Sequence, residues 1–121
     1  MRLLILLVLY LANFGFSAAQ GAPGTWTPVQ WDPHNDQLVG ILDYAVGQAT
    51  FAAMGAGQLS PDYWQWTNVI SVQTQVNSGT NYEFNVDIAT DNGDTAKLMV
   101  IVLISEDETN ETLESYTVSK M

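Results

Sequence analysis

Between Asp36 and Ala53, apolar residues recur at Leu38, Ile41, Leu42, Ala45, Val46, Ala49 and Ala53. That is the three- and four-residue spacing of a helix that buries one stripe. The polar residues Asp36, Asp43 and Gln48 fall mostly off the stripe. Asp32 is expected to cap the helix, with Pro33 in the first helical position and Asp36 adding favourable charge to the first turn. Gly55 and Gly57 are expected to end it. Gly40 and Gly47 lie inside the helix and each costs about 1 kcal/mol against alanine. The reading offered for them is that they let a sheet approach closely.

After the helix the period changes to two. From Trp64 to Val76, the residues Trp64, Trp66, Ile70, Val72 and Val76 fall on one side and Gln65, Thr67, Ser71, Gln73 and Gln75 on the other. A break at Asn77-Ser78-Gly79 leads to a second alternating run. There Tyr82, Phe84, Val86 and Ile88 face one way, against Asn81, Glu83, Asn85 and Asp87. Asp91-Asn92-Gly93-Asp94 signals a turn. Leu98 to Ile104 is continuously apolar, as in a central strand; Ser105 to Glu111 reads as an acidic loop, and Leu113 to Val118 as a last strand. The segment from Gln20 to Pro33, punctuated by Pro and Gly, reads as an extended arm. Tight connections favour antiparallel pairing, and one amphipathic helix must cover one sheet face. The expected fold is α+β, an N-terminal helix packed across a four-stranded antiparallel sheet.

The first residues add a compartment. Met1-Arg2 is a short basic start, Leu3 to Leu11 an apolar run, and Ser17-Ala18-Ala19 supplies small residues for cleavage after Ala19. The run is too short to span a bilayer, which takes about 20 apolar residues. The expected division is a signal peptide over 1–19 and one domain over 20–121, giving a secreted, extracellular protein.

Charge and composition then exclude function classes. The 121-residue chain carries 13 acidic and 3 basic residues, a formal net charge of −10. Loss of Arg2 would make it one unit more negative. Such a surface repels phosphate backbones and anionic lipid, so neither nucleic acid nor membrane is an expected partner. The absence of cysteine removes a thiol nucleophile, a zinc finger and a redox motif, and leaves burial alone to hold the domain together. His34, the single histidine, lies in the Pro-rich entry with no nucleophile elbow in the chain. Asp91-Asn92-Gly93-Asp94 is too short for a calcium loop and lacks the closing glutamate. No enzyme, metal or cofactor is expected. Trp26, Trp31, Trp64 and Trp66 suggest a carbohydrate platform, against which burial is the expected fate of Trp64 and Trp66.

Four segments share a pattern. Gln75-Val76-Asn77-Ser78-Gly79, followed by Thr80-Asn81-Tyr82, resembles the Gln-x-Val-x-Gly first hairpin of cystatins. Leu42-Asp43-Tyr44-Ala45-Val46 is similar to the Leu-Asp-Phe-Ala-Val of their helix. Pro23-Gly24-Thr25-Trp26-Thr27-Pro28 is similar to the Gly-Gly-Trp-x-Pro arm of secreted members, and Leu113 to Lys120 resembles the ending of the cysteine-free stefin branch. The resemblance implies a reversible inhibitor of papain-like cysteine proteases, of the cathepsin L type, whose arm and two hairpin loops enter the protease cleft together. The residues implied as protease contacts are Gly24, Gln75, Val76, Asn77, Ser78, Gly79, Ser105 and Glu106. Gly24 would let the arm pass the nucleophile, Gln75 would offer an amide near the cleft, and Gly79 would bring the loop backbone close to the protease wall. Read alone, Gly79 is a turn glycine and Gly24 part of a loose terminus.

Two departures bear on strength. Asn77 stands where the family has valine, and the second hairpin, Ser105 to Glu111, has neither the Pro-Trp of secreted cystatins nor the Pro-Gly of stefins. Weak or selective inhibition is therefore expected. The alternative is a non-inhibitory secreted or venom protein that keeps the fold. Asn110-Glu111-Thr112 is an N-glycosylation sequon, which makes Asn110 a candidate acceptor. A monomer is expected, with the first hairpin the place where two copies could exchange strands.

Overall fold

The computed structural model describes residues 24–120. Helix α1 (Asp36–Gly55) is followed by strands β2 (Gln65–Val76), β3 (Thr80–Ala89), β4 (Thr95–Ile104) and β5 (Glu111–Lys120); a short strand β1 (Thr27–Val29) precedes it. The sheet is antiparallel and its order β1-β2-β3-β4-β5 follows the chain. It has five strands where four were expected. The added strand comes from the arm, which pairs Thr27, Pro28 and Val29 with Thr74, Gln73 and Val72. Pro28 lacks an N–H, a loss that an edge strand tolerates.

The helix begins later than expected. Its N-cap is Asn35, whose side chain accepts a hydrogen bond from the Leu38 N–H at 3.1 Å. Asp32 instead closes a four-residue turn: its carboxylate accepts from His34 N–H at 2.9 Å and its carbonyl from Asn35 N–H at 3.0 Å. Aspartate followed by proline favours such a turn as strongly as a cap. At the far end, Gly57 has φ +76°. Its N–H bonds the Met54 carbonyl and the Gln58 N–H bonds that of Ala53, which closes the last turn with a left-handed glycine.

All seven stripe residues of α1 are buried. They meet Val72, Phe84, Val86, Ile88, Ala96, Leu98, Val100, Val102 and Ile104 of the sheet in one core. Ala45, Ala49 and Ala53, at four-residue intervals, are fully buried, so close approach to the sheet belongs to alanines. Gly40 and Gly47 do not have that role: a Cβ on either would meet nothing within 4 Å.

β3 alternates as expected, with Phe84, Val86 and Ile88 buried. β2 does not. Its register against β3 slips between Trp66 and Asn68 and again between Val69 and Ser71. Each bulge adds one residue and reverses the alternation. Val69 therefore packs against the core, and Ile70, expected inside, is 53% exposed. A further slip between Ile101 and Val102 of β4 leaves Glu114 as the extra residue on β5.

Candidate functional site

The β2–β3 hairpin turns over Asn77-Ser78-Gly79, closed by Asn77 N–H donating to the Gly79 carbonyl at 2.9 Å. Ser78 has φ +30° and Gly79 φ +120°. The second value lies where an L side chain is strained, and space is short as well: a Cβ on Gly79 would lie 2.7 Å from the Ile104 carbonyl oxygen and 3.5 Å from Ser105 Cα. Ile104 and Ser105 are where β4 passes into the second hairpin loop, residues 105–110. The missing side chain thus lets the two hairpins touch backbone to backbone. Gly79 itself is buried, and Asn77 and Ser78 form the exposed tip.

The arm arrives on the other side of the first hairpin. Gly24, at φ +85°, donates its N–H to the Val76 carbonyl at 3.1 Å and accepts from Gln75 Nε2 at 2.8 Å. A Cβ on Gly24 would have Asn77 Oδ1 as its neighbour at 3.7 Å. Gln75 is half-buried, its oxygen accepts from Asn81 Nδ2 at 3.2 Å, and its amide is engaged by the arm. The candidate residues Gly24, Gln75, Val76, Asn77, Ser78, Gly79, Ser105 and Glu106 thus come together at one end of the sheet, in the order arm, first hairpin, second hairpin.

The second hairpin is folded by one carboxylate. Asp107 Oδ1 accepts from Ser105 Oγ at 2.6 Å, from Thr109 Oγ1 at 2.7 Å and from Thr109 N–H at 3.1 Å. Ser105 Oγ in turn accepts from Asn110 N–H at 3.1 Å. Glu108 N–H donates to the Ser105 carbonyl, and Glu108 takes φ +61° to complete the turn. The Ser105 hydroxyl, then Thr109, stabilise the charged form and lower the Asp107 pKa from 3.8 to about 2. Glu106 and Asn110 are exposed beside it. The loop's acidity, the candidate contacts Ser105 and Glu106 and the candidate acceptor Asn110 are legible in the sequence, but its internal bonding is not; the alternation Ser105, Asp107, Thr109 is the signal for an aspartate-centred turn.

The aromatic residues serve elsewhere. Trp64 is buried, with its indole N–H donating to the Ser60 carbonyl at 3.0 Å. Trp66 is half-buried, donates to Asp43 Oδ1 at 2.8 Å and stands edge-on to Trp31 with ring centroids 5.7 Å apart. This cluster sits at the start of β2, whereas the hairpin of residues 77–79 is at its end. Among the described residues, no group of three or more His, Cys, Asp or Glu could hold a metal ion.

A family model for the cystatin domain matches residues 31–121. The chain belongs to the cystatin family. Members of that family are cysteine-protease inhibitors rather than enzymes. The match covers α1 and the strands that follow it. The part of the arm that reaches the rim, Gly24 to Val29, lies before residue 31, so its place there rests on the hydrogen bonds of Gly24 and the pairing of β1. A search of curated proteins finds no match to the chain.

Proposed function

We propose that this cystatin is a secreted, reversible, competitive inhibitor of papain-like cysteine proteases of the cathepsin L type, acting as a monomer. One observation carries the reading: the arm at Gly24, the tip Asn77-Ser78 and the loop 105–110 are neighbours along a single rim, joined through Val76 and through the Gly79–Ile104 approach. Such a rim can occupy a cleft and exclude water without forming a covalent bond. Gly24, Asn77, Ser78 and Glu106 are the exposed contacts, backed by Gln75, Val76 and Ser105; Gly79 sets the approach of the two hairpins.

The chemistry of the rim sets its strength. Asn77 brings an amide to the first tip, and Glu106, Asp107 and Glu108 bring carboxylates to the second, where an apolar anchor would contribute about 2 kcal/mol or more. Inhibition is therefore weak or selective, with preference for clefts walled by basic residues. Asn110, exposed in the same loop, is a glycan acceptor in the exported protein, and a glycan there would crowd the second hairpin; intact mass before and after deglycosylation tests this.

The decisive experiment titrates the protein into papain and a cathepsin L-type enzyme, then repeats with Asn77→Arg. The substitution is on the exposed tip, away from the core, so an unchanged urea midpoint is expected alongside at least a tenfold loss of inhibition. A parent protein that fails to inhibit at micromolar concentration refutes the proposal. It would favour the non-inhibitory alternative, to which the acidic second hairpin already points.

A further inference from the structure

On the outer face of the sheet, four polar pairs bridge β2 and β3 in register. Asn68 Nδ2 donates to Asp87 Oδ2 at 3.3 Å, Asn85 Nδ2 to Ser71 Oγ at 3.0 Å, Gln73 Nε2 to Glu83 Oε1 at 3.0 Å, and Asn81 Nδ2 to Gln75 Oε1 at 3.2 Å. The last pair continues past the edge of β2. Gln75 Nε2 donates onward to the Gly24 carbonyl at 2.8 Å.

That continuation occurs where regular pairing has stopped. β1 pairs with β2 over Thr27 to Val29, and Gly24 lies three residues before its first residue. Both backbone groups of Gly24 are nevertheless satisfied by consecutive residues of β2: the N–H by the Val76 carbonyl, the C=O by the Gln75 side chain. A side chain thus supplies a bond that a longer strand would have drawn from its ladder.

The chemistry of that bond demands glutamine. A carboxamide offers an acceptor at one end and two donors at the other, and its neighbours decide which end points where. The Gly24 carbonyl can only accept, so it takes the nitrogen of Gln75; the oxygen then faces Asn81, whose amide meets it with its own nitrogen. Glutamate could accept from Asn81 but has no donor for the Gly24 carbonyl when ionised. Lysine could donate but has nothing to accept with.

We infer that Gln75, oriented by Asn81, is a positioning residue that holds the arm at Gly24 against the first hairpin before any partner arrives. Its effect on protease binding, which rests on the inhibitory reading above, comes from presenting the arm already fixed at Gly24 rather than from touching the protease itself. Ordering the arm beforehand removes an entropic cost that binding would otherwise carry.

Gln75→Glu tests this in the full chain, since it preserves shape and the Asn81 bond while replacing the donor with an acceptor. At neutral pH, the protection of the Gly24 amide against hydrogen exchange, read by NMR, is expected to fall about fivefold or more, the scale of one net hydrogen bond. Protection of Phe84 and Val100 in the centre of the sheet is expected to stay the same. Below about pH 4 the protonated glutamic acid regains a donor and Gly24 protection returns. Inhibition of papain follows the same pattern, weaker at neutral pH and partly restored in acid, and Asn81→Ala shows a smaller loss in the same direction.

Unchanged Gly24 protection in Gln75→Glu overturns the tether. Lost protection with undiminished inhibition overturns its part in binding. If the parent protein does not inhibit, the inhibitory reading falls, and the exchange measurement still decides the tether.

Discussion

Gly79→Ala puts one carbon into the tightest place at the rim. Two costs follow. At φ +120° an L residue is held in a sparsely populated region, which costs about 1–3 kcal/mol. The new Cβ also starts 2.7 Å from the Ile104 carbonyl oxygen and 3.2 Å from Leu103 Cδ1. The leucine methyl can rotate away, but the carbonyl belongs to backbone at the end of β4, so the hairpins must separate. Overpacking of this kind adds about 1–3 kcal/mol. The expected total is about 2–6 kcal/mol. At a slope of about 2 kcal/mol/M, urea denaturation should show it as a midpoint lowered by about 1–3 M with the slope unchanged. Gly93→Ala separates the two terms, because Gly93 has φ +91° with nothing within 4 Å of its would-be Cβ. It should show the backbone cost alone. If Gly79→Ala is no more destabilising than Gly93→Ala, the argument that the two hairpins meet through this glycine is refuted. A loss of inhibition in any Gly79 variant would therefore report a displaced rim before it reports a lost contact.

Gly40→Ala and Gly47→Ala should each raise stability by about 0.5–1 kcal/mol, since both sites are helical with open space around Cβ; the urea midpoint checks it, and a loss of stability would show hidden crowding. The second hairpin should depend on pH through Asp107. Its folded pKa lies near 2, below the ordinary 3.8, so the ordering it provides is complete above the ordinary value and is lost as pH falls through about 2. Amide exchange at Thr109 should therefore accelerate relative to its unfolded-chain rate over that window, and Asp107→Ala should show the same acceleration at neutral pH.

The helix stripe and the alternation of β3 were legible because each follows one uninterrupted period set by burial on one face. The first alternating run misled at Ile70 because bulges add residues without leaving a compositional mark: Thr67-Asn68 and Ile70-Ser71 look like ordinary strand positions. The cap was misplaced because Asp32-Pro33 satisfies two local rules at once, and the turn prevailed over the helix start. The fifth strand was missed because Thr27-Pro28-Val29 has too few residues to show a period, and its pairing depends on the neighbouring edge of β2. At the candidate site, residue identities were readable but their partners were not. That Gln75 faces Gly24 and Asn81, or that Gly79 faces Ile104, depends on register and on which loops share an end of the sheet.

The bulge at Glu114 has a consequence for how copies of this protein meet. β5 ends the sheet with ten residues of backbone, and a straight strand of that length would offer a template for another molecule to extend the sheet. An added residue bends the template out of line, and the exposed carboxylate of Glu114 stands at the bend; bulges and edge charges both disfavour strand addition. In a chain with no disulfide to lock its shape, the outermost strand is thus an irregular template for edge-to-edge addition.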